Sequence, residues 1–183
     1  INRFNEDIYM LDPDGDDEEE QTIEAILAKF AYLAENHGVN AFILDPYNEF
    51  SHTRPLQMSE TEYVSRFLGR IRKFINKYNV MVWIVAHPTK LRKEAHTTYL
   101  GHNVNDYPTP TAYDVAGSAN FFNKPDVIIA VHRDKNKERN PENITSVNIQ
   151  KVRRKTTGKM GQYLLKFNYN NNTFASHIGF FDD

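Results

Sequence analysis

Cysteine is absent from the sequence. Its absence excludes disulfide scaffolds, thiolate zinc sites and cysteine nucleophiles, and it is compatible with a reducing intracellular compartment. Six of the seven histidines are scattered, and the histidines show no metal-ligand spacing. The sequence also lacks the Gly-x-x-x-x-Gly-Lys-Ser/Thr pattern, so it does not encode the usual phosphate-binding loop of a nucleotide site.

Long apolar runs are missing as well. None approaches the roughly 18 residues that a membrane-spanning helix needs, so we expect no membrane partner. The chain starts at Ile1 without an initiating methionine or a basic leader, and we therefore expect an excised piece of a longer protein. Its 183 residues, 40% of them hydrophobic, suit one globular domain over residues 1–183.

Charge is divided unevenly along the chain. Residues 1–62 hold 15 acidic and 3 basic side chains, whereas residues 63–183 hold 9 acidic and 19 basic ones. Most of the acidic excess lies in residues 12–20, which we interpret as a solvated loop running into a helix start, because the helix dipole stabilises acidic groups there. The basic half is a candidate footprint for an anion or a nucleic acid.

Two stretches have apolar residues at helical spacing. The first covers residues 23–34 and stops near Gly38, since glycine commonly ends a helix. The second begins with Ser59 and Glu62, which form a Ser-x-x-Glu capping box ahead of seven apolar positions at the same spacing. A shorter helix is expected within residues 114–123.

Apolar runs predict the strands. Residues 7–11 suit a strand closed by a turn. Residues 39–44, 80–86 and 127–131 are typical of buried strands, and we expect the run at 80–86 to be covered on both faces of a parallel sheet. Residues 88–113 have no period and contain three prolines, so they are expected to form a long loop.

The end of the chain has a different pattern. Apolar and polar residues alternate over residues 147–152 and in part of 163–169, which predicts an antiparallel hairpin. The order of strands and helices before it predicts βαβ units, and therefore an α/β fold with a mostly parallel sheet and flanking helices. Ligands bind beyond the carboxyl ends of such strands, where Asp45, His87 and residues 132–133 are expected.

Two of these side chains follow consecutive predicted strands. Asp45 comes directly after an apolar strand, as in a Walker B site, where the carboxylate holds a Mg²⁺ ion bound to nucleotide phosphates. The alternative is an ordinary turn former or helix cap. His87 ends the next strand, where its imidazole either donates a hydrogen bond to a terminal phosphate or serves only the loop.

Basic residues concentrate in two places. Five of them, with two glycines, lie within residues 151–161, and their planar guanidinium groups suit phosphate recognition as well as a solvated hairpin tip. An earlier basic stretch followed by two tyrosines suits contact with a nucleic-acid backbone and stacking on bases. This stretch comprises Lys90, Arg92, Lys93, Tyr99 and Tyr107.

Four segments occur together in an order that resembles a known family. They are residues 42–49, residues 85–90 with the pattern His-Pro-x-Lys, residues 113–124 with the pattern Gly-Ser-Ala, and residues 151–161 with Lys-Val-Arg and two glycines. Over most of residues 7–175 the chain resembles the RecA-like motor domain of ring-shaped replicative DNA helicases, especially the Twinkle type and the fused primase-helicases of phages. The resemblance implies a RecA-like fold for the truncated domain.

The resemblance also implies roles for individual residues. Asp45 matches the Walker B ligand of Mg²⁺, and His87 matches the residue that senses the terminal phosphate. Arg153 matches the arginine finger that reaches the neighbouring subunit's nucleotide, with Lys151 beside it. Two further groups match the central-channel loop that grips single-stranded DNA and the motif that couples this loop to the nucleotide. They are Lys90, Arg92 and Lys93 for the loop, and Gly117, Ser118 and Asn120 for the motif.

The function implied by the resemblance is an NTP-driven motor that unwinds DNA in the 5′-to-3′ direction as a homo-hexamer. Its cofactors are ATP or another NTP and Mg²⁺, and its partners are single-stranded DNA and, in some members, a linked primase domain. The family's phosphate-binding loop and catalytic glutamate are expected before Ile1, so we expect this chain alone to be inactive; Glu49 is a weak substitute for that base. We expect a cytoplasmic location in a bacterium or phage-infected cell, with an organelle as the alternative.

Two other functions fit the same residues. One is a RecA-like ATPase of the recombinase or plasmid-replication type, whose full-length form would not unwind a forked duplex. The other is a non-enzymatic module that presents its basic loops to nucleic acid or to a partner chain. This module predicts that NTPase activity survives the substitutions Asp45→Asn and Arg153→Ala.

Overall fold

A computed structural model describes residues 2–3, 8–11, 22–47, 57–89, 91–115 and 119–181. The chain divides into two compact units, Ile1–His87 and Pro88–Asp183. Both combine helices or turns with small β-sheets, so the fold is mixed α and β. No helix in the described ranges is long and apolar enough to cross a membrane. The assignment of residues 1–183 to one domain stays a prediction.

The first unit opens with two short strands and a helix. Strands β1 (Asn2–Arg3) and β2 (Tyr9–Met10) pair antiparallel. Helix α1 (Ile23–His37) begins because the Thr22 hydroxyl accepts a hydrogen bond from the Ala25 amide, which satisfies one of the exposed amides of the first turn. It ends at Gly38, whose φ of 67° lies in the left-handed region that favours glycine. The predicted helix and its end are confirmed.

The capping box predicted for the second helix is confirmed. Helix α2 (Glu60–Tyr78) begins with the Ser59 hydroxyl accepting from the Glu62 amide at 3.3 Å, while the Glu62 carboxylate accepts from the Ser59 amide at 3.1 Å. These contacts hold the pKa of Glu62 below its usual value. The helix therefore starts at a fixed residue, and its apolar face is directed into the unit.

Two parallel strands lie under these helices. Strand β3 (Ala41–Leu44) pairs with β4 (Met81–Ile84) from Ala41 opposite Met81 to Leu44 opposite Ile84. The core joins the sheet to both helices through aromatic rings: Phe42 stacks on Phe30 with centroids 4.3 Å apart and meets Phe74 edge-on at 5.7 Å. Burying side chains of this size contributes about 1.5–3 kcal/mol each, so the core fixes the strands against the helices.

The expectation that residues 80–86 are covered on both faces is wrong for the described structure. Along β3 and β4 buried or half-buried positions alternate with exposed ones. The exposed apolar face, defined here by Ile43, Met81, Trp83 and Val85, includes Ile43 at 65% and Trp83 at 44% exposure. A continuous apolar run identifies the strand but does not distinguish a sheet covered on one face from one covered on both.

The second unit begins with a hairpin in the region predicted to be a long loop. Strands β5 (Glu94–Thr97) and β6 (Asn103–Asp106) pair antiparallel, and Gly101, with φ of 84°, lies in the turn between them. The prediction of a loop over residues 88–113 is therefore wrong for these eight residues. Their side chains are mostly polar, so the alternation of apolar and polar residues that marks a half-buried strand is absent.

A short helical segment follows the hairpin. Residues Ala112–Asp114 form one 3₁₀ turn, and helix α3 (Ala119–Asn123) comes after residues 116–118, which lie outside the described ranges. The carboxylate of Asp114 accepts from the Thr111 amide at 2.7 Å and caps the 3₁₀ turn. The predicted short helix within residues 114–123 is thus confirmed for its second half.

The rest of the second unit is one antiparallel sheet. Strands β7 (Val127–His132), β8 (Ile144–Val152), β9 (Gly161–Asn168) and β10 (Thr173–Phe181) lie in the order β10-β9-β8-β7. The predicted hairpin of β8 and β9 is confirmed, whereas β10 was not predicted. Strand β7 is not buried as expected, because Val127, Ile129 and Val131 are exposed. Within the described ranges β3 and β4 are the parallel pair, so the expectation of a mostly parallel sheet is met only there.

Candidate functional site

Asp45 and His87 follow the two parallel strands at the same edge of the sheet. Beyond the last ladder pair, the Val85 amide donates to the Leu44 carbonyl at 2.8 Å, and the Tyr47 amide donates to the Val85 carbonyl at 2.7 Å. The two segments therefore stay side by side as far as Tyr47 and Val85, and Asp45 and His87 lie within two residues of these contacts. Both side chains are exposed, so this edge, here named the strand-end site, presents a carboxylate and an imidazole to solvent.

Tyr47 anchors the segment that carries Asp45. Its side chain is buried and meets the ring of Phe67 edge-on, with centroids 5.1 Å apart. Burial, followed by the nearby Tyr63 and Glu60, raises the pKa of Tyr47 to about 12. The peptide bond between Asp45 and Pro46 is cis. In the sequence Tyr47 is only one residue of the segment 42–49, and no period or spacing marks it as a buried anchor.

The donors at the strand-end site suit a nucleotide-bound Mg²⁺ ion. Mg²⁺ prefers oxygen ligands, and when it accompanies phosphates it needs only one or two protein carboxylates because water and phosphate oxygens complete its shell. The exposed carboxylate of Asp45 fits this requirement. No group of three or more His, Asp or Glu side chains that would hold a metal by itself occurs in the part of the chain that the structure describes.

Several predicted site residues lie outside the described residues. These are Glu49, Lys90, Gly117 and Ser118. Asn120 is described: it lies in α3, and its carbonyl accepts from the Lys124 amide at 3.0 Å, which closes the carboxyl-terminal turn of that helix.

Arg92 and Lys93 of the predicted DNA-binding loop lie just before strand β5 and are exposed. The Lys93 ammonium is 3.4 Å from the Asp106 carboxylate and 5.2 Å from the centre of the Tyr107 ring. Tyr107 is itself 50% exposed. A cation beside an accessible aromatic ring is a combination that suits a nucleic-acid strand, because the cation meets phosphate and the ring meets a base.

Tyr99 does not share the exposure of Tyr107. Its hydroxyl donates to the Ile144 carbonyl at 2.8 Å and accepts from the Asp134 amide at 2.9 Å. Burial raises the pKa of Tyr99. Tyr99 therefore ties the β5–β6 hairpin to the start of β8, and the interpretation that it stacks on bases does not suit this position.

An ionic cluster holds the open end of the same hairpin, where Asp106 pairs with Glu94. Arg139 donates to both oxygens of Asp134, at 2.7 and 3.0 Å, and to Asp106 at 2.9 Å. The hydrogen bond from Arg139 is the largest cause that lowers the pKa of Asp106, to about 2, and it also lowers the pKa of Asp134. The cluster, here named the Arg139 clamp, ties Asp106 at the end of the hairpin to Asp134 in the loop after β7.

Lys151 and Arg153 contact the carboxyl end of α3. Lys151 Nζ donates to the Phe122 carbonyl at 2.5 Å and to the Asn123 carbonyl at 3.2 Å. Arg153 Nη2 donates to the carbonyls of Asn123 and Lys124 at 2.6 and 2.9 Å. The carbonyls at a helix end carry partial negative charge and have no partner within the helix, so cations stabilise them.

Asp126 completes the surroundings of Arg153. The Arg153 amide donates to the Asp126 carbonyl at 2.8 Å, and Arg153 Nε lies 3.4 Å from the Asp126 carboxylate. The Arg153 side chain remains 42% exposed. Asp126 is not marked in the sequence, since a single acid before a strand is common. Its pairing with Arg153 depends on the register of β7 with β8, which the sequence does not reveal.

The remaining cations of the basic stretch 151–161 lie in the connection between β8 and β9. Arg154, Lys155 and Lys159 are exposed there, and the Thr157 amide donates to the Arg154 carbonyl at 2.9 Å in a turn. This connection matches the solvated hairpin tip that the sequence left open as an alternative. Arg153 and Lys151 differ from these residues because both have defined contacts to α3.

No family model matches the chain. Over 154 residues, which are 84% of this chain, the sequence is 32% identical to the Twinkle homolog protein, chloroplastic/mitochondrial, of Arabidopsis thaliana. The chain is similar to a Twinkle homolog. The matched segment covers 20% of that relative, so the chain spans about a fifth of its length.

Proposed function

We propose that this chain is the carboxyl-terminal part of the motor of an NTP-dependent, hexameric replicative DNA helicase, which moves along single-stranded DNA and unwinds duplex in the 5′-to-3′ direction. The observation that carries the proposal is the strand-end site, where Asp45 and His87 leave paired parallel strands at one edge. The similarity to a Twinkle homolog over 154 residues supports it.

The strand-end site has a defined part in this proposal. Asp45 holds the Mg²⁺ ion that accompanies the NTP, and His87 donates a hydrogen bond to the terminal phosphate. Bound Mg²⁺ supplies neutralisation of the charge that develops on the phosphoryl oxygens. Tyr47 keeps Asp45 at the sheet edge, because its ring is buried against Phe67 and its amide is bonded to Val85.

Arg153 acts on a nucleotide held by the neighbouring subunit. A guanidinium group that reaches the phosphoryl oxygens stabilises the transition state more than the ground state, because charge on these oxygens increases during transfer. Its 42% exposed side chain is accessible to a second subunit. Catalysis then depends on how the subunits are arranged in the hexamer, and the isolated chain is inactive.

Single-stranded DNA binds at the basic stretch before β5. Lys90, Arg92 and Lys93 neutralise phosphates, and the Gly117, Ser118 and Asn120 motif couples this stretch to the nucleotide. The exposed positions of Arg92 and Lys93 and the neighbouring Tyr107 ring support this assignment. A primase domain linked upstream belongs to the same proposal. The relative's printed name gives a chloroplast and mitochondrial location for that protein, which favours the organellar alternative for this one.

The test is NTP hydrolysis by the full-length protein that contains this chain. We expect Asp45→Asn to lower DNA-stimulated hydrolysis about 100-fold or more, since metal clamping contributes several kcal/mol to the transition state. Glu138→Gln, which removes an exposed carboxylate from the loop after β7, is the control and should keep nearly full activity. Hydrolysis that survives Asp45→Asn would favour a non-enzymatic module, and hydrolysis without unwinding of a forked duplex would favour a recombinase-type ATPase.

A further inference from the structure

The side chain of Arg153 is already engaged within its own subunit. Its Nη2 donates to the carbonyls of Asn123 and Lys124, and its Nε faces the Asp126 carboxylate. Lys151 supports the same helix end through the carbonyls of Phe122 and Asn123. The carboxyl end of α3 and Asp126, here named the Arg153 seat, therefore hold the guanidinium by three contacts.

A phosphate competes with this seat for the same donors. Backbone carbonyls at a helix end carry only part of an elementary charge, whereas a phosphate oxygen shares a full one. The guanidinium is charged, so its hydrogen bonds to the carbonyls are already charge-assisted. A phosphate adds a full negative charge of its own and offers two oxygens to the planar donors, which gives a triphosphate near Arg153 the advantage over the Asn123 and Lys124 carbonyls. The Asp126 carboxylate carries a full negative charge within the seat, so its attraction for the guanidinium opposes the release of Arg153 from the seat.

The seat also belongs to the segment that contains Asn120. The Lys124 amide donates to the Asn120 carbonyl at 3.0 Å, and the ring of Phe122 stacks on Tyr113 with centroids 4.7 Å apart. Loss of the contacts from Arg153 leaves the last carbonyls of a five-residue helix with fewer partners. Such a short helix has little stability of its own, so its last turn opens more often.

We infer that capture of a triphosphate by Arg153 releases the carboxyl end of α3, and that Asp126 is a positioning residue that sets how readily the release occurs. The inference rests on the proposed function for the source of the triphosphate, which is the neighbouring subunit's nucleotide. It adds a link within one subunit: the state of the neighbour's nucleotide reaches the segment around Asn120 through the Arg153 seat.

Hydrogen exchange of the Lys124 amide tests the link in the ¹⁵N-labelled 183-residue chain, with inorganic tripolyphosphate as the probe and ionic strength held constant with NaCl. We expect tripolyphosphate to speed this exchange about fivefold, the factor for the loss of about one net hydrogen bond. In Arg153→Gln the Lys124 amide should already exchange fast without tripolyphosphate, and adding tripolyphosphate should not change the rate. Arg154→Gln, which removes the adjacent exposed cation, is the matched control and should respond like the wild type.

The role of Asp126 is tested by the tripolyphosphate concentration at which exchange of the Lys124 amide becomes faster. In Asp126→Asn the faster exchange should be reached at lower tripolyphosphate, and Asp126→Glu, which keeps the charge, should restore a midpoint near that of the wild type. A purely structural role of Asp126 would instead speed exchange equally at all tripolyphosphate concentrations. Far-ultraviolet circular dichroism of each variant verifies that the chain is folded.

The inference is overturned if tripolyphosphate leaves Lys124 exchange unchanged in the wild type, or if Arg153→Gln responds as the wild type does. Its failure is separate from failure of the proposed function. If the full-length protein hydrolyses NTP but the Lys124 amide does not respond, the seat is not a link and the motor assignment stands. If hydrolysis is absent and the amide responds, the release stands as a property of the chain and the motor assignment fails.

Discussion

Arg139 Nη2 donates a hydrogen bond of 2.9 Å to the carboxylate of Asp106. This contact joins the end of the β5–β6 hairpin to the loop after β7, because Arg139 also binds Asp134 in that loop. The proposed DNA-binding cations Arg92 and Lys93 directly precede the hairpin. Part of the hairpin's support is therefore ionic, and we expect it to respond to pH and to single substitutions.

The Arg139 clamp predicts a loss of stability in acid. The pKa of Asp106 is about 2 in the folded chain and 3.8 as its ordinary value. A carboxyl group with a lowered folded pKa contributes stability that is fully present above the ordinary value and is lost as pH falls towards the folded one. We expect wild type to melt at a higher temperature than Asp106→Asn at neutral pH, with the two melting temperatures converging near pH 2. A constant difference across the titration would contradict the assignment.

We predict that replacing the buried Asn140 lowers stability more than replacing an exposed asparagine does. Its amide donates to the carbonyls of Asp134 and Ile144 at 2.9 and 2.8 Å and accepts from the Ile144 amide at 2.7 Å. Asn140→Ala leaves several of these groups unpaired, so we expect the free energy of unfolding to fall by about 2–4 kcal/mol, measured by urea denaturation. The exposed Asn170→Ala is the control and should change it by less than about 0.5 kcal/mol. Equal effects of the two substitutions would refute this account of Asn140.

We predict that replacing Lys93 weakens the salt dependence of DNA binding. If its ammonium neutralises one phosphate, Lys93→Ala should reduce the slope of log affinity against log salt by about 0.7 for single-stranded DNA. Fluorescence anisotropy with labelled oligonucleotides over a series of NaCl concentrations measures this slope. Lys135→Ala, an exposed lysine in the loop after β7, should leave it unchanged. An unchanged slope for Lys93→Ala would remove Lys93 from the DNA-binding surface.

We predict that the exposed ring of Tyr107 contacts a base of single-stranded DNA rather than a phosphate. Stacking of a base on an aromatic side chain is worth about 1–3 kcal/mol, so Tyr107→Ala should weaken binding of single-stranded DNA by at least about fivefold without changing the salt slope. The fluorescence of 2-aminopurine placed in the oligonucleotide reports the stacking directly. Tyr169→Ala, also an exposed tyrosine of the second unit, is the control. Equal binding by the wild type and Tyr107→Ala would exclude the ring as a stacking platform.

The first unit was largely predictable from the sequence. Both long helices carry an apolar stripe at helical spacing, and their ends are marked by local chemistry, Gly38 for α1 and the Ser59–Glu62 box for α2. The parallel pairing of β3 and β4 follows from the helix between them, since a crossover connection favours parallel neighbours. The sheet edge with Asp45 and His87 was predictable for the same reason.

The second unit was predictable only in part, because its structure depends on partners distant in sequence. Strand β7 is apolar enough to suit a parallel sheet, yet it pairs antiparallel with β8. The β5–β6 hairpin is held by Tyr99 and the Arg139 clamp, and neither produces a periodic pattern. The contacts of Arg153 with α3 were equally hidden, since basic composition indicates an anion site but does not identify which carbonyls the guanidinium binds.

Trp83 lies on the exposed apolar face of the β3–β4 sheet and is the single tryptophan of the sequence. Its intrinsic emission therefore reports on one face alone, without labelling and without contributions from a second indole. Solvent contact shifts indole emission to longer wavelengths, and any polypeptide that settles on Ile43 and Met81 also excludes water from Trp83. A blue shift during titration or assembly would thus register coverage of this face in real time.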